Sequence, residues 1–217
     1  MLTMERFNHT LYIIGGASTA LEIRETIDMV KNEYDCIVNV IENGGTCRYS
    51  FVEDDGLVEH LIRSIKKSYI IGFVDQKLRA KYRKLMEENG AVPANVVHPK
   101  AVISKSAIIG NGNYIAAYSI ISSEAKVGDH NLVNLSVTLG HNTDIGNNNI
   151  FNPGARISGC AVIEDRCLFG ANSFVYQGIH ICSDTLIDAM TYLNQNIEEP
   201  SICTSNTGMK KYKNRFI

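Results

Sequence analysis

The chain lacks the cysteine spacing of a zinc module, a hydrophobic run long enough for a membrane, and any marked bias of charge. Its six cysteines (Cys36, Cys47, Cys160, Cys167, Cys182, Cys203) contain no CxxC pair and no zinc-ligand spacing. Reduced thiols in the cytosol are therefore expected, with Cys160 and Cys167 serving as small interior residues. No segment approaches the roughly 20 apolar residues of a membrane span. The opening MLTMERFNHT has no charged-then-apolar signal pattern. Membrane insertion is not expected, and a cytoplasmic location is. A formal net charge of −2 gives no general attraction to nucleic acid, which is not an expected partner. The one basic cluster, Lys210, Lys211, Lys213 and Arg215, reads as a solvated tail or as a contact for an anionic ligand.

What is present is a repeat. Every sixth residue from Val97 to Leu193 is apolar, seventeen positions in unbroken phase. Small or short residues such as Ala101, Ala107, Ser119, Ala125, Thr143, Ala155, Ala161, Cys167, Ser173 and Thr185 stand two places before these positions. A period of six fits neither a 3.6-residue helix nor a lone amphipathic strand. It fits a coil of three short strands, the signature of a parallel β-helix. Gly110, Gly128, Gly140, Gly146, Gly154, Gly159, Gly170 and Gly178 fall where corners need a positive φ, and Asn111, Asn113 and Asn147 to Asn149 tolerate the same corners. The phase is lost after Leu193, and the segment beyond it reads as an irregular cap. Outward apolar residues, Leu135, Ile150 and Leu168, are expected to be buried where three flat-sided prisms close into a homotrimer.

Ahead of the repeat, LYIIGG (11–16), DCIVNVIE (35–42) and YIIGFV (69–74) read as strands. ASTALEIRETIDMV (17–30), LVEHLIRSIKK (57–67) and KLRAKYRKLMEENG (77–90) read as helices, with Ser18 or Thr19 capping the first and Gly90 stopping the last. This order predicts an α/β N-terminal domain with a small Rossmann-like parallel sheet over 1–95, and a β-helix domain over 96–217. Ligands of such sheets bind beyond the strand carboxyl ends, here Gly15-Gly16-Ala17-Ser18-Thr19, Glu42-Asn43 and Gly72-Phe73. The glycine loop is not GxGxxG, so it is equally a ligand cradle or a plain turn.

Of six histidines, His9, His60, His98 and His180 read as structural or solvated, and His130 as an exposed corner residue. His141 stands among polar groups within one coil, Asn134, Ser136, Thr138, Asn142 and Asp144. It is either a simple exposed turn residue or a proton acceptor working near neutral pH. His130 and His141 lack a third ligand, so no metal is expected.

These stretches resemble the bacterial sugar acyltransferases of the PglD/NeuD type. The likeness runs from LYIIGGASTALEI through VVHPKAVISKSAIIG to NPGARISGCAVIEDRCLFGANSFV, and VNLSVTLGHNTDIG is its most specific part. It implies a left-handed β-helix, a homotrimer, and acetyl-CoA or another acyl-CoA as co-substrate. It also implies a nucleotide-linked amino sugar as acceptor, in surface-glycan biosynthesis. By the same likeness His141 is the general base, and Asn134 and Asn142 are on the acceptor side. Gly159, Ala171 and Ala189 line the acyl-CoA groove, while Gly15, Gly16, Ser18, Thr19, Gly72 and Phe73 surround the nucleotide.

The chain departs from that pattern at several points. Asn142 replaces the acidic residue after the catalytic histidine, and Asp144 is its possible substitute. Ile150 replaces a second histidine, and Thr19 the histidine of the glycine loop. Glu42-Asn43 stands for an acidic pair, and Ser205 to Met209 for Gly-Asn-Pro-Ala-Lys. The expected function is N-acylation of a sugar amine. O-acetylation of a sialic acid or polysaccharide sugar, acylation of an amino acid, and a non-catalytic sugar-binding trimer are the alternatives.

Overall fold

The computed structural model describes residues 7–205. Its first half is a five-stranded parallel sheet in the order β3-β2-β1-β4-β5. The strands are β1 (Phe7–Ile14), β2 (Cys36–Ile41), β3 (Phe51–Glu53), β4 (Ser64–Ile71) and β5 (Val92–Pro93). The helices are α1 (Thr19–Asp28), α2 (Leu57–Arg63) and α3 (Gln76–Glu88). Alternation along β1 assigns its two faces. Leu11 and Ile13 pack with Ala20, Ile23 and Ile27 of α1, whereas Tyr12 and Ile14 pack with Leu57 and Leu61 of α2 and Tyr82 and Met86 of α3.

Two boundaries differ from the sequence reading. The second helix stops at Arg63, and residues 64–67 belong to β4, where Ser64 pairs with Phe7 and Lys66 with His9. The helical spacing of LVEHLIRSIKK continues past Arg63, but a place beside the central strand wins over propensity. Two short strands, β3 and β5, extend the sheet edges and were not expected. Gly90, at φ +75, ends α3 as predicted.

The second half is a left-handed parallel β-helix. Two-residue strands stack into sheets of seven, six and five strands, pairing with the residue eighteen places on as in Ile121↔Leu139↔Ile157↔Val175, until the last strand pairs sixteen places on, Leu186↔Ile202. The apolar positions from Ile115 to Leu193 are buried, with Phe151 and Phe169 stacked at 4.8 Å, while Val97, Ile103 and Ile109 at the first turn are only partly covered. Ile197 and Cys203 close the far end. The basic cluster 210–215 lies outside the described residues.

The corners correct the glycine expectation. Positive φ recurs every sixth residue from Gly112 to Met190, and only Gly112, Gly154 and Gly178 of these positions are glycine. Tyr118, Glu124, His130, Ser136, Asn142 and Cys160 are among the others. Left-handed geometry costs an L-residue roughly 1–2 kcal/mol. A regular bond to the coil below offsets it, as from Asn142 N to Ser123 O at 3.0 Å and from Cys160 N to His141 O at 2.8 Å. Gly110, Gly128, Gly140, Gly146, Gly159 and Gly170 are instead sites of close approach. At Gly140 a Cβ would lie 2.5 Å from Gly159 N.

Asn113, Asn131 and Asn149 also do not serve as left-handed corners. Each buried amide oxygen accepts from the backbone N–H eighteen residues on, forming a ladder that ends at Cys167. Cys167 is interior as expected, but Cys160 is exposed at a corner.

The outer face of the seven-stranded sheet is covered from Val96 to Ile150 by the chain's own first half. Tyr114, Leu132 and Ile150 pack against α1, and Leu168 lies partly in the same cluster. Ile150 is therefore buried within the chain rather than against a neighbouring prism, and Leu135 remains exposed.

Candidate functional site

The strand ends of the first half open into a cleft of about 540 Å³. Gly15, Gly16, Ser18, Thr19, Gly72 and Phe73 all line it, so every residue expected around the nucleotide converges there. The glycines are required by packing as well as by any ligand. A Cβ at Gly16 would meet Ile41 Cγ2 at 2.6 Å, and one at Gly72 would meet Ala20 Cα at 2.7 Å. Ser18 stands at the N-cap position of α1 but makes no side-chain cap bond. Its backbone is at φ 46, ψ −120, a region L-residues rarely occupy. The start of α1 thus presents its dipole to the cleft with the serine hydroxyl uncommitted to the cap.

Sequence reasoning missed part of the lining: Thr46, Asp75, Leu78 and Tyr82. Asp75 caps α3 by accepting from Leu78 N at 2.9 Å, and a lone aspartate immediately before a helix was the signal available. Leu78 and Tyr82 follow on one face of the same helix. Burial pushes the Tyr82 hydroxyl up to about 12, with Asp54 and Glu42 adding to the shift, so it acts as a neutral donor. Among the described residues no lysine or arginine lines this cleft, so the anion-binding elements these residues offer are helix and backbone N–H groups.

His141 occupies the corner between the six- and five-stranded sheets. The imidazole lies over the backbone of Gly159 in the next coil: a Cβ there would fall 2.6 Å from Cε1, and closer still to Nε2. Nδ1 lies 3.0 Å from Asn142 Oδ1. That oxygen only accepts, so in the neutral imidazole Nδ1 carries the proton and the lone pair falls on Nε2. Asn142 sits at φ 56, which asparagine tolerates better than most residues. Asp144 is on a strand, exposed and in register with Lys126 and Val162, and the imidazole's partner is Asn142.

The remaining expected residues lie elsewhere. Asn134 begins the corner between the seven- and six-stranded sheets, and Ala171 and Ala189 continue that corner column, joined through Asn172 N to Pro153 O and Met190 N to Ala171 O. Within one chain the structure brings His141 and Gly159 together at one edge of the six-stranded sheet, and Asn134, Ala171 and Ala189 along the other. His130, expected to be exposed, is 5% exposed and stacks on Tyr69 at a third corner, apart from His141. Among the described residues, no group of three potential metal ligands is found, and no helix is long and apolar enough to cross a membrane.

Residues 161–195 match the family model described as the hexapeptide repeat of succinyl-transferase. No curated protein matches the sequence. Several solved structures share the fold across nearly the whole chain. The acetyltransferase domain of PglB from Neisseria gonorrhoeae is 19% identical with a TM-score of 0.81, covering 92% of this chain and 98% of that one. It has also been solved in complex with acetyl coenzyme A. PerB from Caulobacter crescentus, in complex with CoA and GDP-perosamine, is 22% identical with a TM-score of 0.76, covering 87% and 90%. WeeI from Acinetobacter baumannii is 18% identical with a TM-score of 0.80, covering 88% and 93%.

Proposed function

We propose that this protein transfers an acyl group from an acyl-CoA, most simply acetyl-CoA, to the amine of a nucleotide-linked amino sugar. The observation that carries the reading is the His141 imidazole, held by Asn142 with its Nε2 lone pair over the flat backbone of Gly159. The structures that share the fold include one with acetyl coenzyme A and one with CoA and GDP-perosamine, which names the ligand classes to try first.

The chemistry needs few groups. The sugar amine attacks the thioester carbonyl carbon while His141 Nε2 removes an N–H proton. The C–S bond then breaks, and the CoA thiolate leaves and takes up a proton. A backbone N–H beside Gly159 is in the region where an oxyanion would form. No covalent acyl-enzyme is needed, and holding both substrates in one cleft supplies the proximity term.

The geometry favours a site shared between copies. α1 and α3 sit over the seven-stranded face: α1 borders the corner carrying Leu135, and α3 reaches the corner carrying His130 and Asn148. The corner of His141, between the six- and five-stranded sheets, is the one opposite that face. On this reading a ligand held in the α1 cleft is served by the His141 of a neighbouring copy. The six-stranded face between the two corners exposes Val102, Ile120, Phe174 and Tyr192, a surface suited to a heterologous contact that closes as a homotrimer.

The test is a thiol-release assay with acetyl-CoA and a panel of UDP- and GDP-linked amino sugars. Transfer to one of them, lost in His141→Ala, supports the reading. Undiminished transfer in that variant, or transfer only to hydroxyl acceptors, overturns it. Transfer only to hydroxyl acceptors leaves O-acetylation as the reading.

A further inference from the structure

Among the described residues Arg79 is the largest fully buried side chain, 1% exposed, and it has no carboxylate partner there. Its guanidinium donates to Phe73 O at 2.8 Å, to Ile71 O at 3.5 Å and to His130 O. The first two carbonyls belong to the end of β4 and the segment after it, whose residues 72–75 form one wall of the cleft. The third belongs to a corner of the β-helix. One side chain thus joins the cleft wall to the prism.

The arrangement is unfavourable in itself. Burial lowers the Arg79 pKa to about 10, and Arg79 Nε and His130 Nδ1 are both buried without a hydrogen-bond partner among the described residues. A buried charge held only by neutral acceptors contributes little to stability, and an apolar side chain of similar volume often does as well or better. What such a group supplies is fixed geometry. The neighbouring contacts repeat the theme one coil on, where Gln76 Nε2 donates to Asn148 O at 2.8 Å and Arg83 reaches Asn148 Oδ1 at 3.4 Å. Asp75 O accepts from Arg79 N at 2.9 Å, which ties the guanidinium's own helix turn to the same wall.

We infer that Arg79 is a positioning residue that holds the Phe73 wall of the cleft in register with the β-helix, so that a ligand bound in the cleft is presented to the prism at a fixed distance. This rests on the cleft being the nucleotide site proposed above.

The experiment compares the full chain with Arg79→Met and the charge-keeping Arg79→Lys. Hydrogen exchange is followed at residues 71–75 and 128–131, alongside binding of UDP and GDP. In Arg79→Met, amides of both segments are expected to exchange about tenfold faster while the sheet core stays protected. Affinity for the better nucleotide is expected to fall about tenfold, with acyl-CoA affinity unchanged. Arg79→Lys should lie between the two. Unchanged exchange at 71–75, a uniform rise across the chain, or altered exchange with unaltered nucleotide affinity would each overturn the inference. Wild-type protein that binds neither nucleotide overturns the nucleotide reading instead, and the exchange result then decides whether Arg79 holds the wall at all.

Discussion

Asn142 Oδ1 accepts from His141 Nδ1 at 3.0 Å, so the side chain that orients the imidazole is a neutral amide and not a carboxylate. An amide fixes the tautomer without stabilising the imidazolium that forms during proton transfer. Asn142→Ala should lower kcat on the order of tenfold with little change in the KM values, because only the orientation of the base is lost. Asn142→Asp should keep the orientation and add a charge, moving the rising limb of kcat/KM to higher pH. A pH profile identical in the two variants would show that Asn142 does not act on the imidazole.

Gly159 offers a separate test of the same corner. Its φ is not in the left-handed region, so alanine is sterically acceptable to the backbone, and the group its Cβ meets is the His141 ring. Gly159→Ala should displace the imidazole and lower kcat on the order of a hundredfold. The melting temperature should stay close to that of the wild type. A large loss of stability would mean that the corner, and not the imidazole, had moved.

His130 makes a prediction about pH. Burial lowers its pKa from the ordinary 6.5 to about 4, with Arg83 and Arg79 adding to the shift. The folded state binds the proton less tightly than the unfolded chain does. Its neutral form therefore adds stability above pH 6.5 that is lost as the pH falls toward 4. The full difference is about 3 kcal/mol at 1.36 kcal/mol per unit. Denaturant unfolding between pH 7.5 and 4.5 should lose stability more steeply in the wild type than in His130→Asn, which keeps a residue tolerant of φ 59.

Ser18→Gly tests the strain at the cleft. The serine backbone at φ 46, ψ −120 costs on the order of 1–3 kcal/mol, with no cap bond to offset it. Glycine relieves this and gives back up to about 1 kcal/mol as unfolded-state entropy. A net gain of about 1 kcal/mol should raise the melting temperature by roughly 2–4 °C. If nucleotide binding weakens at the same time, the serine hydroxyl contacts the ligand.

The repeat made the prism legible because an unbroken period of six has one structural solution. It did not reveal the corners. Glycines mark only three of the left-handed positions, and counting by sixes from Gly112 through Gly154 to Gly178 would have found Asn142 and Cys160 among the rest. The cleft was legible in its loops, where glycines and strand ends coincide, but not in Leu78 and Tyr82, whose side chains reach it only because α3 lies beside the loop. Arg79 carries no sequence signal, since arginine is ordinarily a surface residue. Ile150 was correctly read as apolar surface in need of cover, yet its cover is α1, because the fold of one half on the other cannot be read from either half's periodicity.

The separation of His141 from Asn134 leads to a test by subunit mixing. The two residues occupy opposite edges of the six-stranded sheet, so a site using both must draw them from adjacent copies. His141→Ala and Asn134→Ala should each be inactive alone. When the two are unfolded together and reassembled at equal concentration, about a quarter of the sites in a closed trimer receive an intact His141 from one copy and an intact Asn134 from the next. Activity should rise to about that fraction of the wild-type value. A site built within one chain recovers nothing on mixing, because every copy still carries one of the two defects.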